Sequence, residues 1–371
     1  MLRIGIEAQR IFRPKKHGMD IVALEIIKAL VQLEGDFEVV VFVKPDSDRV
    51  LESGGKLTVV EVPGKTYADW EQLSLPKAVR KSKVDVLHCT SNTAPIRGLS
   101  VPLVLTLHDI IFLEKRMVKE GTTYQKLGNV YRRWVVPKII EKAAKVITVS
   151  NFERNRMNEH FGGLATLDYI YNGVSEHFKV PVSEVEMKTV LEQFGIQAPY
   201  VFFLGNTDPK KNVPNTLKAF DQFAATHPEV QLVVLDYAEE ELDKQLEQLS
   251  LMHLKDRIHL LGYVPNKQLP VIYAGAEVFW YPSLRESFGI PILEAQGMGT
   301  KVVTSNTSSM PEVGGEGVWL ADPNNPTEMA AVLVQAYAEQ GVEKVEKGKE
   351  NVQKFTWTEA AKKCLAIYQG L

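Results

Sequence analysis

Two glutamates eight positions apart, Glu286 and Glu294, bracket Ser287-Phe288-Gly289-Ile290-Pro291, an arrangement suited to a phosphorylated, hydroxyl-bearing ligand. Pro291 fits the opening of a helix, where its missing N–H costs nothing, so the amides of Phe288, Gly289 and Ile290 lie at an uncapped helix N-terminus. Those amides and the positive end of the helix dipole attract phosphate, and Gly289 removes the side chain that would keep an anion away. Ionised carboxylates only accept hydrogen bonds and would repel a diphosphate. Glu286 and Glu294 therefore suit hydroxyls, as when one carboxylate accepts from both hydroxyls of a ribose. Glu294 falls in the first helical turn, and Glu286 in the loop nearer whatever hangs from the far phosphate. Taken singly, Glu294 would only complement the dipole and Glu286 would be a solvated loop residue. The pair, in its strand-loop-helix setting, favours a sugar-nucleotide site.

A second loop carries cations. Leu204-Gly205-Asn206-Thr207-Asp208-Pro209-Lys210-Lys211-Asn212 leaves an apolar strand and precedes a helix, a setting for an anion. A lysine pair at a helix start opposes the dipole unless an anion is present, which favours Lys211 as a ligand over a solvated pair. Thr106-Leu107-His108-Asp109 places His108 at the carboxyl end of another strand, where it either meets a ligand or is a buried histidine bonded to backbone. Gly18 lies between the first strand and its helix.

Alternating elements must position these residues. Short apolar runs at Arg3–Glu7, Glu38–Val43, Leu57–Glu61, Asp85–His88, Leu103–Leu107, Val146–Val149 and Asp168–Tyr171 read as strands, with helices from about Met19 to Leu33 and Thr123 to Lys145. Ser150 or Asn151 caps a further helix. A second series has strands at Tyr200–Leu204, Gln231–Leu235, Arg257–Leu260, Glu277–Tyr281 and Lys301–Thr304, and helices including Val213–Ala225 and Glu239–Met252. The pattern is α/β, with two doubly wound parallel-sheet domains facing a cleft and ligands beyond the carboxyl ends of the strands. Glu176 to Pro181 reads as a hinge linker. Trp357 to Gln369 is helical, with Ala361, Leu365 and Tyr368 on one side.

The 371 residues suit two domains, and 45% hydrophobic with 24% charged residues is the balance of a globular enzyme. Net charge is +6 over residues 1–180 and −9 over 181–371. The basic half favours an anionic acceptor or membrane surface, though solvated faces alone produce such an imbalance. Lys115, Arg116, Lys119, Lys126, Arg132, Arg133, Lys138, Lys142 and Lys145 concentrate in one stretch with Phe112, Leu113, Tyr124, Tyr131 and Trp134. It reads as a solvated face over a core or, more sharply, as a surface for anionic lipid or a diphosphate-linked acceptor. Cys89 and Cys364 form neither a disulfide framework nor a metal cluster. The chain opens on a strand rather than a signal peptide and no apolar run is long enough to span a bilayer, so a cytoplasmic protein, peripheral at the inner face of the membrane if it meets one, is expected. Asp46-Ser47-Asp48 mimics a metal-binding D-x-D but reads as a solvated loop, remote in sequence from Glu286 and Lys211. The absence of G-x-G-x-x-G argues against a dinucleotide dehydrogenase.

The Glu286 to Glu294 stretch resembles the E-x7-E motif of retaining glycosyltransferases of family 4 (glycosyl transferases group 1), which have the GT-B fold. Gly205 to Asn212 resembles that family's phosphate loop, G-R/T-x-x-x-(R/K)-K-N, and Ser305 to Glu312 its S-N-x-S-S-x-P-E stretch. Local helix capping accounts equally well for Ser308 or Ser309. His108-Asp109 and, weakly, Gly18 also match. The resemblance covers nearly the whole chain. It implies a Rossmann-like acceptor-binding domain over residues 1–175, a Rossmann-like nucleotide-sugar-binding domain over 176–355, and a C-terminal helix over 356–371 crossing back to the first. It further implies transfer of a hexose, with retention, from a nucleotide diphosphate sugar to a glycan or lipid-linked acceptor in polysaccharide or glycoconjugate synthesis. Catalytic roles fall to His108, Lys211 and Glu286. Donor binding falls to Gly18, Gly205, Asn206, Lys211, Glu286, Phe288, Gly289, Ile290 and Glu294. The donor phosphate takes the acceptor proton, no metal or cofactor is expected, and no nucleic-acid partner is implied. Asn206 stands where many members have Arg, so a second cation must come from Lys210, Arg10, Lys15 or Lys16. GDP-mannose is the preferred donor, UDP-sugars following. A GT-B disaccharide phosphorylase and a non-catalytic sugar-nucleotide-binding protein are the alternatives.

Overall fold

The computed structural model describes residues 1–114 and 123–371, without the side chains of 123–127. Lys115, Arg116 and Lys119 of the basic stretch lie outside the described residues, as do the side chains of Tyr124 and Lys126. The chain divides into two compact units, Met1–Gly173 with Thr356–Leu371, and Val174–Phe355.

The first unit is built on a parallel sheet of strands β1 (Leu2–Glu7), β2 (Phe37–Val43), β3 (Leu57–Glu61), β4 (Val86–Cys89), β5 (Leu103–Thr106), β6 (Lys145–Thr148) and β7 (Leu167–Tyr169), in the order β3-β2-β1-β4-β5-β6-β7. Val39 to Val43 are all fully buried, as a strand covered by helices on both faces requires. The strand order reverses between β1 and β4.

The second unit has strands β8 (Tyr200–Leu204), β9 (Gln231–Leu235), β10 (Ile258–Leu261), β11 (Val278–Tyr281), β12 (Lys301–Ser305) and β13 (Trp319–Ala321), all parallel, in the order β10-β9-β8-β11-β12-β13. Its order reverses between β8 and β11. The expected strands all form, with ends shifted by a residue or two. Strand β13 was not expected: three residues with Leu320 exposed at the sheet edge give no periodicity to read. Each unit is thus a doubly wound, Rossmann-like parallel sheet.

The C-terminal helix, Trp357–Gln369, belongs to the first unit. Thr356 caps it, accepting from the Glu359 amide at 3.1 Å, and its buried face (Trp357, Ala360, Ala361, Cys364, Leu365, Tyr368) packs against the helix Gly18–Gln32. Tyr368 fixes it to the sheet: its hydroxyl lies 2.6 Å from Nδ1 of His88 on β4, and His88 Nε2 lies 2.7 Å from Thr106 Oγ1 on β5. Burial holds His88 down to about 3, so it is neutral and each ring nitrogen has one hydroxyl partner. Gly173 permits the close approach of the returning chain, because a Cβ there would lie 2.3 Å from the Trp357 amide nitrogen.

The segment read as a hinge is part of the second unit instead. Glu176–Lys179 forms a 3-10 turn, Phe178 is buried against Tyr273 at 5.9 Å between ring centroids, and a Cβ on Gly297 would meet the Phe178 carbonyl at 2.3 Å. An aromatic side chain with a pocket to fill outweighs the turn signals around it. Asp48 of the D-x-D lookalike pairs with Lys16, and Asp46 accepts from the Ser47 amide at 2.7 Å.

Candidate active site

The candidate residues of the second unit gather where its strand order reverses, between the ends of β8 and β11. In open parallel sheets ligands bind beyond the carboxyl ends of the strands at such a point. Beyond β8, Asp208 caps a single 3-10 turn, Pro209–Lys211, that presents both lysines. Beyond β11, the loop carries Glu286, which is buried rather than solvated. Lys211 Nζ donates to Glu286 Oε1 at 2.8 Å and to the Tyr281 hydroxyl at 2.9 Å, and Lys210 Nζ lies 3.7 Å from Glu286 Oε2. Burial alone would raise the Glu286 carboxyl, but Lys210 and Lys211 outweigh it and hold the group down to about 2. Glu286 in turn raises Lys210. Two ammonium groups and one carboxylate leave the cluster with a single surplus positive charge. Lys211, expected to meet an anion here, pairs with the Glu286 carboxylate.

Several bonds fix the two loops together. Asn212, in the left-handed conformation at φ 61°, donates its amide to the carbonyls of Pro282 at 3.0 Å and Pro323 at 2.7 Å, and the Leu284 amide donates to the Lys210 carbonyl at 2.7 Å. Ser308 and Ser309 hold the Glu286 loop rather than capping their own helix. Ser308 Oγ accepts from the Glu286 amide at 3.1 Å, and Ser309 Oγ lies 2.9 and 2.8 Å from the carbonyls of Glu286 and Phe288. Arg285 donates to the Glu286 carbonyl at 2.9 Å. The sequence pattern singled out the serines but not this partner, since nothing local links residues 22 positions apart.

The helix Ile290–Gly297 begins after Gly289, which has no side-chain cap. Gly289 has φ 109°, a backbone conformation that side chains disfavour, so glycine is required by the turn itself. The helix opens one residue earlier than expected, with Pro291 in its first turn, and its leading amides face out of the helix start. The Phe288 side chain is buried against Phe355 at 5.8 Å between centroids, so its contribution to a ligand would be backbone. Glu294 Oε2 accepts from the Tyr273 hydroxyl at 2.8 Å, and burial lifts its carboxyl to about 7 against the opposing pull of that bond. Gly205 is closely packed, its absent Cβ 3.0 Å from Val234 Cγ1, while Asn206 Oδ1 accepts from the Asp208 amide at 2.9 Å and shapes the loop. Tyr273 and Tyr281 were missed by sequence reasoning. Tyr281, the last residue of β11, was findable from its place at a strand end; Tyr273 was not.

His108 and Gly18 lie in the first unit. His108 is buried; its amide donates to Asn92 Oδ1 at 2.6 Å, and Nε2 lies 2.9 Å from the Thr90 carbonyl. A carbonyl only accepts, so Nε2 carries the proton and Nδ1 is the acceptor of the neutral ring. Burial lowers its basicity. Gly18 opens the helix Gly18–Gln32 with nothing within 4 Å of a built Cβ, so packing does not demand glycine there. Asp20 of this helix pairs with Arg10 at 3.1 Å and with Arg13. Among the described residues no group of three His, Cys, Asp or Glu side chains could hold a metal ion.

Comparison with known proteins decides the family. Residues 17–178 match the model for Glycosyltransferase Family 4, and residues 190–355 match the model for Glycosyl transferases group 1. The chain belongs to glycosyltransferase family 4. Among the relatives of this family 4 chain, O-antigen chain mannosyltransferase B of Escherichia coli is 29% identical over 236 residues, 62% of each chain. Phosphatidyl-myo-inositol mannosyltransferase of Mycolicibacterium smegmatis is 25% identical over 333 residues, 85% of this chain and 80% of that one. The family 4 chain thus spans under two thirds of the first of these relatives. Among solved structures, Anabaena Alr3699/HepE in complex with UDP and glucose superposes with a TM-score of 0.73 over 100% of both chains at 19% identity. WaaG, a glycosyltransferase involved in lipopolysaccharide biosynthesis, gives 0.73 over 99% of this chain and 100% of its own at 13% identity. These likenesses agree with the GT-B fold.

Proposed function

We propose that the chain transfers a hexosyl group from a nucleoside diphosphate sugar to a glycan or lipid-linked acceptor, with retention at the anomeric carbon. The observation that carries this reading is the meeting of Lys210, Lys211 and Glu286 at the reversal point of the second sheet, in a loop that leads to an uncapped helix start. A diphosphate suits the surplus cation and the leading amides. Lys211 then offsets the charge that grows on the leaving phosphate as its bond to the anomeric carbon breaks. The acceptor oxygen forms its bond on the same face and its proton passes to a phosphate oxygen. Glu286, kept ionised, accepts from a hydroxyl of the transferred sugar, and Glu294 accepts from the ribose. Neutral His108, with Nδ1 as acceptor, suits a sugar hydroxyl better than proton transfer.

Mannose from GDP-mannose is the favoured donor, a reading supported by the mannosyltransferases among the relatives. The UDP complexes among the fold neighbours make UDP-sugars the competitors. Thermal shift against GDP, UDP, ADP and their sugars tests this, since ligand at a hundred times its Kd adds about 2.7 kcal/mol of apparent stability. GDP and GDP-mannose should shift the transition most. Full transfer activity in folded Lys211→Ala and Glu286→Ala variants would overturn the assignment.

Peripheral contact with an anionic membrane is part of the same reading. On the helix Thr123–Ile140, Val130 and Trp134 are exposed and the Lys138 ammonium sits 3.8 Å from the Trp134 ring centroid, an apolar and cationic pairing suited to a headgroup boundary. Among the described residues no helix is long and apolar enough to cross a bilayer. Equal sedimentation with anionic and neutral vesicles would remove this part.

A further inference from the structure

We infer that Tyr273 is the positioning residue of the ribose subsite, aiming the Glu294 carboxylate at the sugar of the nucleotide from the buried side. This rests on the reading of Glu294 as a ribose ligand. Tyr273 stands on the helix Leu269–Gly275, which packs against the helix that carries Glu294. Its hydroxyl donates to Glu294 Oε2 at 2.8 Å. Oε1 has no hydrogen-bond partner among the described residues and is not among the buried unpartnered atoms, so it remains open to a ligand. One oxygen held from within and the other offered outward is the arrangement a carboxylate needs to accept from a diol in a fixed direction.

The ring that supplies the hydroxyl has little freedom. It is fully buried, with centroids 5.1 Å from Phe202, 5.0 Å from Phe279 and 5.9 Å from Phe178. Its carbonyl accepts from Thr300 Oγ1 at 2.6 Å, and the carbonyl of the preceding Ile272 accepts from the Tyr200 hydroxyl at 2.7 Å. A tyrosine packed so tightly on three aromatic rings could be phenylalanine if packing were its whole purpose. The hydroxyl instead holds Glu294, which stands in the second turn of the neighbouring helix rather than in the first turn as expected. No other residue bonds Glu294 through its side chain among the described residues, so the aim of the carboxylate depends on this bond.

The test compares wild type with Tyr273→Phe by isothermal titration with whichever of GDP and UDP binds more tightly, and with its 2′,3′-dideoxy counterpart. Removing the hydroxyl should weaken the ribonucleotide on the order of tenfold, as loss of one bond to a charged group does. The dideoxynucleotide, which has no diol to present, should bind both proteins within about twofold. Equal weakening of both ligands would mean a structural role and overturn the inference, as would wild-type affinity for the ribonucleotide. Glu294→Gln separates the levels. If it leaves ribonucleotide affinity intact while Lys211→Ala abolishes it, the ribose assignment falls and the donor site stands. If neither nucleotide binds wild type, the reading of the donor site falls with the inference.

Discussion

Lys211 and Glu286, 75 positions apart, meet at 2.8 Å because one ends the loop after β8 and the other lies in the loop after β11, adjacent strands of one sheet. The contact gives the lysine pair an anion from within the chain. A carboxylate occupies the ammonium that a diphosphate would use, and Lys210 stands at 3.7 Å from the other oxygen. Where many family members have Arg just after the glycine, Asn206 shapes the loop, and Lys210 faces the same carboxylate as Lys211.

Neutralising Glu286 should therefore separate binding from transfer. Glu286→Gln leaves two lysines without their counter-ion, and diphosphate affinity, read by titration calorimetry, should hold or rise severalfold while transfer falls on the order of a hundredfold. Lys211→Ala should lose both. Breaking a buried pair on the lysine side should also cost about 3 kcal/mol of stability, measured by urea unfolding of the variant.

Nucleotide binding should depend on pH through Glu294. Burial lifts its carboxyl to about 7, and only the ionised form accepts from both ribose hydroxyls. Affinity should rise as pH increases through about 7 and level off above it, and the Glu294→Gln protein should lose that step. The same group acts on folding in the opposite sense. Its folded pKa exceeds the unfolded value, so the native state binds the extra proton and the contribution of Glu294 to stability declines as pH rises from about 4.5 through 7. Glu286 opposes it, since its contribution is complete above the ordinary carboxylate range and is lost as pH falls toward 2.

Ser309→Ala removes the hydroxyl shared by the carbonyls of Glu286 and Phe288, at 2.9 and 2.8 Å. Loss of one such bond costs about 0.5 to 1.5 kcal/mol, since the Glu286 carbonyl keeps its Arg285 donor at 2.9 Å. Because those carbonyls belong to the loop that holds the carboxylate, transfer should fall more steeply than stability, and comparing kcat with the denaturation midpoint measures the difference.

Tyr368→Phe tests the attachment of the C-terminal helix. His88 Nδ1 would lose its 2.6 Å partner inside the first unit. The expected loss is about 1 to 3 kcal/mol in chemical denaturation, with nucleotide affinity in the second unit unchanged.

Much of the fold was legible because parallel strands covered on both sides are written as apolar runs, Val39 to Val43 among them. β13 escaped because three edge residues carry no period, and the turn around Phe178 escaped because its punctuation resembles that of a linker. At the site, the loops and their charged residues were readable from local spacing. Their partners were not. Tyr273, Ser308 and Ser309 act across 21 to 23 positions, and sequence proximity says nothing about which carbonyl or carboxylate they face. The burial of Glu286 was not legible either, since a loop carboxylate is ordinarily solvated and it takes the two converging lysines to make its burial tolerable.

The second unit both starts and stops at one point: the Val174 amide donates to the Phe355 carbonyl at 3.2 Å. Gly173 and Thr356, the flanking residues of the first unit, are likewise in contact. In engineering terms residues 174–355 form a cassette. Cutting before Val174 and after Phe355 removes an uninterrupted polypeptide whose ends already touch, while the remainder needs only a short splice from Gly173 to Thr356 to keep its last helix. During synthesis the order is reversed: the unit that begins first is completed last, because it waits for a helix encoded beyond its neighbour.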